Sequence, residues 1–172
     1  MAELHSAYLS LGSNIDAEAN LTSAMRALRA RFGSVRESPV YATAAVGFAG
    51  EDFLNLAAIV STELDIFALN DWLHGLEDAH GRRRDQPRFS PRPLDIDIVF
   101  FDDLVIRGPR NLQVPRPELA HAFVLKPLFD LAPEYVVPGG SDTLAMLWAK
   151  HPDRDATEWQ AMPRWISEVG AA

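Results

Sequence analysis

A short apolar segment that contains two aspartates constrains the fold of this chain more than any other feature. Residues 94–101 read Leu-Asp-Ile-Asp-Ile-Val-Phe-Phe, and this run of apolar and β-branched side chains predicts a strand. Because successive side chains of a strand point to opposite faces, Asp95 and Asp97 share one face and the apolar residues between them share the other. The two aspartates then lie roughly 7 Å apart along the backbone. Carboxylates this close repel each other when desolvated, so their face of the strand calls for a cation or hydrogen-bond donors.

An arginine-rich segment comes directly before this strand. Residues 82–92 contain five arginines together with Pro87 and Pro91, and Pro93 follows. Proline cannot continue a helix or join a central strand, so we expect a loop. The planar guanidinium suits phosphate, and Mg²⁺ takes one or two carboxylates together with phosphate oxygens, so the two features together indicate a site for a metal-bound polyphosphate. Each feature alone has an ordinary explanation, since arginine loops are commonly solvated surface and paired aspartates at a strand end are commonly structural.

The composition limits the classes of function. The chain has 172 residues, of which 48% are hydrophobic, and this suits one domain with a substantial core. With a formal net charge of −8, the chain is not expected to bind nucleic acid, and its clustered arginines indicate a local anion site. The absence of cysteine excludes disulfides and thiolate nucleophiles. Residues 1–14 lack a signal-peptide pattern and no apolar run is long enough to span a bilayer, so we expect a cytoplasmic protein without membrane contact.

The remaining patterns predict an α+β fold. Strands are expected over residues 7–13, 35–43 and 53–60, with a turn at Gly12-Ser13-Asn14, and helices are expected to begin after Asp16 and Asp65. The second helix has a predicted apolar stripe of Phe67, Leu69, Trp72, Leu73 and Leu76 and ends near His80. With the aspartate strand, the order is βαββαβ, which predicts a ferredoxin-like core with an antiparallel sheet.

The C-terminal third is expected to add smaller elements to this core. A hairpin is predicted from Phe101 through a tight turn into residues 104–106, followed by an irregular segment over 107–114. A third helix is predicted over 118–131, interrupted or bent at Pro127, and a short fourth over 144–150. Residues 151–172 receive no assignment, and the tryptophans near this end are expected to pack against the body of the domain.

Residues 91–98, with Gly81, Arg82 and Arg84, closely resemble the signature of the 6-hydroxymethyl-7,8-dihydropterin pyrophosphokinases. Enzymes of this family transfer the terminal diphosphate of ATP to a pterin alcohol in folate biosynthesis, with release of AMP. The likeness extends over residues 7–140, from Leu-Ser-Leu-Gly-Ser-Asn to the segment Pro-Leu-Phe-Asp-Leu-Ala-Pro-Glu. It implies a single pyrophosphokinase domain over residues 1–172, a monomer that binds ATP and a pterin and neither nucleic acid nor membrane.

The resemblance also implies roles for individual residues. Asp95 and Asp97 correspond to the aspartates that hold two Mg²⁺ ions, and Arg82 and Arg92 to the catalytic arginines that close over the ATP phosphates. The pterin-binding positions are Thr43, Val46, Phe53, Asn55 and Phe123, with the phenylalanines on the two faces of the ring and the asparagine at its edge. The ATP-binding positions are Glu77, Arg84, Arg88, Ile98, Arg110, Arg116 and His121. Without the family, a structural amide satisfied by the backbone is the favoured explanation of Asn55, and Phe53 and Phe123 could simply belong to the core.

This chain departs from the family pattern mainly around the nucleotide. Phe89 and Ser90 stand where tryptophan and glycine are usual, Arg116 replaces a histidine, His121 replaces an arginine, and Thr43 is followed by two alanines instead of two prolines. Two alternatives therefore stay open beside the kinase. One is a paralogue with an altered pterin or nucleotide preference, and the other is a pterin- or nucleotide-binding module without catalytic activity.

Overall fold

The main sheet of the molecule has five strands. A computed structural model describes residues 3–43, 53–81, 93–109 and 112–155. Its sheet contains β1 (His5–Ser13), β2 (Val35–Glu37), β3 (Tyr41–Thr43), β4 (Phe53–Thr62) and β5 (Asp95–Phe101). Helix α1 (Ala17–Phe32) follows β1, and helix α2 (Ile66–Ala79) follows β4. Further along the chain come β6 (Ile106–Arg107), β7 (Gln113–Val114), a 3₁₀ turn (Pro117–Ala120), α3 (Ala122–Leu131) and α4 (Leu144–Ala149).

The strands are antiparallel to every neighbour. Strand β4 lies between β1 and an edge made of β2 and β3, and β5 lies on the other side of β1. Counting β2 and β3 as one interrupted edge, the order is βαββαβ, so the predicted ferredoxin-like α+β fold is confirmed. Within the described ranges, no helix has the length and hydrophobicity that crossing a membrane requires.

Two hydrophobic cores lie on opposite faces of this sheet. Helices α1 and α2 pack on the first face, with Leu21 and Leu73 among their fully buried residues. Helices α3 and α4 pack on the second face, with Leu128 and Leu144 among their fully buried residues. Strand β5 contains a β-bulge, because its register with β1 shifts between Tyr8 and Leu9 and gives β5 one extra residue there. Residues of β5 around this bulge contribute to both cores.

Four predictions about local structure need correction. The expected strand over 35–43 is split between β2 and β3, since Pro39 has no amide to donate to a neighbouring strand. Strand β1 continues through Ser13, so the turn begins after that residue. The segment expected to be irregular contains β7, which pairs with β6, so the added hairpin is formed by these two strands. The third helix is interrupted at His121 between the 3₁₀ turn and α3, whereas Pro127 lies inside α3.

The aspartates that precede α1 and α2 differ in what their side chains do. The side chain of Asp65 accepts a hydrogen bond of 2.8 Å from the backbone amide of Ala68 and caps α2. Asp16 has a left-handed backbone with φ of 44° and makes no side-chain cap to α1. The apolar stripe of α2 is also displaced, because Phe67 is 38% exposed, while the helix buries Glu77 beside its leucines.

Candidate active site

Four paired residues form a row across one face of the sheet. In β1, Gly12 lies opposite Asn55 of β4 on one side and opposite Asp95 of β5 on the other. Tyr41 of β3 lies opposite Asn55 and extends the row to the sheet edge. Directly opposed residues share a face, and adjacent strands are about 4.8 Å apart, so the backbones of Asn55 and Asp95 are separated by about 10 Å. The predicted pterin residue and the predicted metal residue thus lie on one surface.

The second aspartate lies in a crowded acidic environment. Burial, the largest effect, raises the pKa of the Asp97 carboxyl to about 6, and the guanidinium of Arg116 opposes this rise. The negative charges of Asp95, Glu77 and Glu118 add to the rise. The side chain of Asp97 is nevertheless 40% exposed, so a solvent-borne cation can reach its oxygens.

Glu77 fixes the strand between the two aspartates. Its carboxylate is buried at the end of α2 and accepts a hydrogen bond of 2.9 Å from the backbone amide of Ile96. This contact joins α2 to β5 at the residue between Asp95 and Asp97. In the structure, Glu77 therefore supports the backbone that bears the aspartates, and a direct contact with ATP stays a prediction.

Arg116 is the nearest cation to this acidic group in the described part of the chain. Its Nη2 atom lies 3.3 Å from Oδ1 of Asp97, and its Nε atom lies 3.3 Å from Oε2 of Glu118. Both Nε of Arg116 and Oε2 of Glu118 are buried, and neither has a hydrogen-bond partner among the described residues. The guanidinium thus balances charge in this arrangement while part of its donor capacity is unused. Sequence reasoning did not single out Glu118, which only the turn after Arg116 brings to this place.

The predicted pterin residues lie on β3, β4 and α3. Asn55 is buried, and its Nδ2 donates a hydrogen bond of 2.9 Å to Oγ1 of Thr43. Phe53, two residues before Asn55, lies on the same face of β4 and is partly buried. Phe123 is partly buried in the first turn of α3, and the exposed ring of His121 stacks on it with a centroid distance of 5.1 Å and an interplanar angle of 8°. A phosphate contact by His121 stays a prediction.

The remaining predicted positions are a core residue and six residues outside the described part of the chain. The side chain of Ile98 is 1% exposed and belongs to the core under α1 and α2, so a role of Ile98 in ATP binding would use its main chain and stays a prediction. The predicted residues Val46, Arg82, Arg84, Arg88, Arg92 and Arg110 lie outside the described residues. Gly12 is a site residue that sequence reasoning missed, since its glycine was explained as part of a turn.

Comparisons with known proteins agree on one family. A family model described as 7,8-dihydro-6-hydroxymethylpterin-pyrophosphokinase (HPPK) matches residues 8–133. A 2-amino-4-hydroxy-6-hydroxymethyldihydropteridine pyrophosphokinase of Pseudomonas aeruginosa is 39% identical over 140 residues, which cover 77% of this chain and 84% of that protein. A protein of the same name from Methylorubrum extorquens is 38% identical over 137 residues, which cover 77% of this chain and 86% of the relative.

Longer proteins match over only part of their length. The bifunctional protein FolKE of Lactococcus lactis is 38% identical over 133 residues, which are 74% of this chain and 38% of that protein. A crystal structure of wild-type HPPK-DHPS of Plasmodium falciparum with pteroate superposes with a TM-score of 0.71 at 16% identity, over 88% of this chain and 43% of that chain. This last likeness concerns the fold alone. The family model over residues 8–133 and the relatives from Pseudomonas aeruginosa and Methylorubrum extorquens show that this chain belongs to the 7,8-dihydro-6-hydroxymethylpterin-pyrophosphokinase family.

Proposed function

We propose that this protein transfers diphosphate from ATP to 6-hydroxymethyl-7,8-dihydropterin and releases AMP, as a step of folate biosynthesis. The observation that carries this proposal is the row of Asn55, Gly12 and Asp95 across three strands. It brings an amide that suits the edge of a heterocycle and a carboxylate that suits a metal-bound phosphate to one surface, about 10 Å apart. A pterin at Asn55 then directs its hydroxymethyl group along the row toward the phosphates.

The acidic group fits a hard divalent cation that is shared with phosphate. Within the described ranges, no cluster of three metal-ligating side chains exists, so a structural site enclosed by protein ligands is not expected there. Two aspartates on one strand face match Mg²⁺, which keeps waters and phosphate oxygens as its other ligands. In this proposal Asp95 and Asp97 hold two Mg²⁺ ions, which neutralise charge on the ATP phosphates when bound.

In this proposal, each of these side chains either positions other groups or neutralises charge. Glu77 holds the strand of the two aspartates through the amide of Ile96. Arg116 has a buried Nε without a hydrogen-bond partner among the described residues, and a phosphate oxygen is a suitable acceptor. The arginines Arg82, Arg84, Arg88, Arg92 and Arg110 are assigned to the same phosphates on their sequence positions. Catalysis in this arrangement depends mostly on positioning and charge neutralisation.

The pterin pocket is assigned to the other end of the row. Asn55, with its orientation set by Thr43, hydrogen-bonds the edge of the ring, and Phe53 and Phe123 stack on its faces. Val46 is assigned to the same pocket on its sequence position. His121 stacks on one face of Phe123 and is exposed, so in this proposal it supports that phenylalanine and is open to contact by a phosphate group.

A single assay tests the function and both alternatives. The protein is incubated with Mg²⁺, ATP and 6-hydroxymethyl-7,8-dihydropterin, and AMP and the pterin diphosphate are quantified by chromatography. Formation of both products in equal amounts is the expected result. Binding of the pterin without formation of AMP would favour the non-catalytic module, and turnover only with a different pterin or nucleotide would favour the paralogue.

A further inference from the structure

Gly12 occupies the central position of the proposed active-site row. It is a buried residue of β1, and its paired neighbours are Asn55 on one side and Asp95 on the other. Glycine inside a strand interior lowers stability relative to alanine because it loses more conformational freedom on folding and offers no side chain to pack. The backbone gives no reason for glycine here, since the φ angle of Gly12 lies outside the positive range in which other residues are strained. The reason must therefore lie in the space above the strand.

That space contains the side chain of Asn55. A Cβ atom built on Gly12 lies 3.0 Å from Oδ1 of Asn55, and its next contacts are the Leu54 carbonyl oxygen at 3.7 Å and Cδ1 of Phe53 at 3.9 Å. Only the first of these distances is too short for ordinary packing. The carboxamide of Asn55 thus lies over the bare backbone of β1 and occupies the place of a side chain.

The other end of the same carboxamide is held by Thr43. Because Nδ2 of Asn55 donates to Oγ1 of Thr43 at 2.9 Å, the amide has one fixed orientation, with its nitrogen toward β3 and its oxygen toward β1. Moving the oxygen away from β1 by a few tenths of an ångström requires the amide to rotate or to give up this hydrogen bond. Gly12 and Thr43 together determine which way Asn55 presents its donor and its acceptor.

We propose that Gly12 is a positioning residue for pterin specificity, which acts by leaving room for the Asn55 carboxamide to lie against the central strand. This inference rests on the proposed function and extends it to a residue that has no side chain of its own to offer a ligand. The ligand class that such a fixed amide selects is a flat heterocycle whose edge has a donor next to an acceptor, which is the pattern of an aminopyrimidinone ring. A methyl group at position 12 turns the amide and mismatches both hydrogen bonds to that edge.

The test compares Gly12→Ala with Gly75→Ala, a matched control on the exposed side of α2 where an added Cβ meets nothing within 4 Å. Binding of 6-hydroxymethylpterin is measured by titration calorimetry at saturating Mg²⁺ and α,β-methylene ATP, and binding of the Mg²⁺ complex of that nucleotide analogue is measured separately. Gly12→Ala is expected to weaken pterin binding about tenfold or more, the size of one lost or mismatched buried hydrogen bond. Affinity for the nucleotide analogue should stay within about twofold, and the melting temperature within about 3 °C. Gly75→Ala should change neither affinity.

A double-mutant cycle with Asn55→Ala shows whether Gly12 acts through the amide. Once the carboxamide is removed, the additional change Gly12→Ala should alter pterin affinity by less than about twofold, because nothing remains for the methyl group to displace. Thr43→Val, which removes the acceptor at the other end of the amide, should resemble Gly12→Ala. A tenfold loss that persists in the Asn55→Ala background would overturn the proposal, as would equal losses of pterin and nucleotide affinity with a large fall in melting temperature.

The same measurements separate this inference from the proposed function. If the natural protein neither binds 6-hydroxymethylpterin nor forms AMP, the function fails and the role of Gly12 fails with it. If the natural protein does both and Gly12→Ala matches it in pterin affinity, only the role of Gly12 is wrong.

Discussion

At the scale of single residues, the folded chain brings several negative charges close to one another around Asp97. Asp97 lies beside Asp95, Glu77 and Glu118. Among the described residues, Arg116 is its counter-ion, with Nη2 lying 3.3 Å from Oδ1 of Asp97. Like charges held this close destabilise the metal-free protein, and a bound divalent cation would relieve the repulsion. Two predictions at this scale concern the protein without its ligands.

The first prediction concerns the pH dependence of stability. The pKa of Asp97 is raised from its ordinary value of 3.8 to about 6, so the folded state binds this proton more tightly than the unfolded state. The resulting contribution to stability is fully present below the unfolded pKa and is lost as pH rises through about 6. The side chain in Asp97→Asn cannot ionise. In EDTA, the melting temperature of this variant should therefore fall less with rising pH than that of the natural protein. The comparison runs from pH 4.5 to pH 7.5, taken as roughly the window set by the two pKa values. The exposed Asp103→Asn is the control, and parallel curves for Asp97→Asn and the natural protein would contradict the prediction.

The second prediction concerns Arg116 as the counter-ion of Asp97. Removing one partner of a partly buried ion pair leaves the other uncompensated, so Arg116→Gln should lower the free energy of unfolding of the metal-free protein by about 1 to 2 kcal/mol at pH 7.5. Mg²⁺ should then stabilise the variant more than it stabilises the natural protein, as measured by thermal shift over a Mg²⁺ titration.

Arg31→Gln serves as the control for charge removal elsewhere. Arg31 pairs with Glu63 at 2.7 Å on the surface, where such a pair contributes on the order of 0 to 1 kcal/mol. This variant should respond to Mg²⁺ like the natural protein. An equal Mg²⁺ response in Arg116→Gln would show that its guanidinium does not compete with the cation.

At the scale of elements, α3 is tied to the pterin edge of the sheet by a polar cluster. The hydroxyl of Tyr41 in β3 donates to Asp130 in α3, and Lys126 lies 2.6 Å from the same carboxylate. Burial and the bond to Asp130 raise the pKa of Tyr41, so the hydroxyl keeps its proton and remains a donor. Because β3 contains Thr43 and α3 contains Phe123, this cluster sets the distance between two walls of the proposed pocket.

The prediction at this scale is that Tyr41→Phe weakens this connection. Leaving the carboxylate of Asp130 with one donor fewer should lower the free energy of unfolding by about 1 to 2 kcal/mol and should weaken pterin binding more than nucleotide binding. Denaturant unfolding and calorimetry measure the two effects. Tyr8→Phe is the matched control, since the Tyr8 hydroxyl has no hydrogen bond within the described residues and its ring remains packed. Equal effects of the two variants would rule out a special role for the cluster.

At the scale of the whole molecule, one sheet is shared by two cores. Leu21 in α1 and Leu128 in α3 are both fully buried, one in each core. Because both cores need the same strands, neither can be lost without the other, and the domain should unfold in one step.

The matching prediction is that Leu21→Ala and Leu128→Ala each lower stability by about 2 to 5 kcal/mol and displace the same single transition. Trp72 packs on the first core and Trp148 belongs to the second, so tryptophan fluorescence of variants that keep one or the other reports each core separately. Leu4→Ala, at a residue that is 68% exposed, is the control. Separate midpoints for the two reporters would mean that the cores unfold independently.

Local patterns in the sequence determined the elements and the chemistry of the strand with the aspartates. The alternation around Asp95 and Asp97, the start of a helix after Asp65 and the order βαββαβ depend on neighbours along the chain, and the structure has all three. The family resemblance, confirmed by the comparisons, added roles that those patterns leave open. The prediction of one strand over 35–43 was wrong because Pro39 has no amide to donate, and the segment predicted to be irregular contains β7 because it pairs with β6.

Tertiary structure alone decided which of these residues meet. The place of Gly12 between Asn55 and Asp95 depends on the register of three strands, and register is fixed by the burial of side chains when the sheet packs. The approach of Arg116 to Asp97 depends on the chain between β5 and α3 returning to the sheet, with the amide of Arg116 bonded to the carbonyl of Val99. Such contacts join residues far apart in the chain, so their formation follows from the packing of the whole domain and leaves no periodic signal in the sequence.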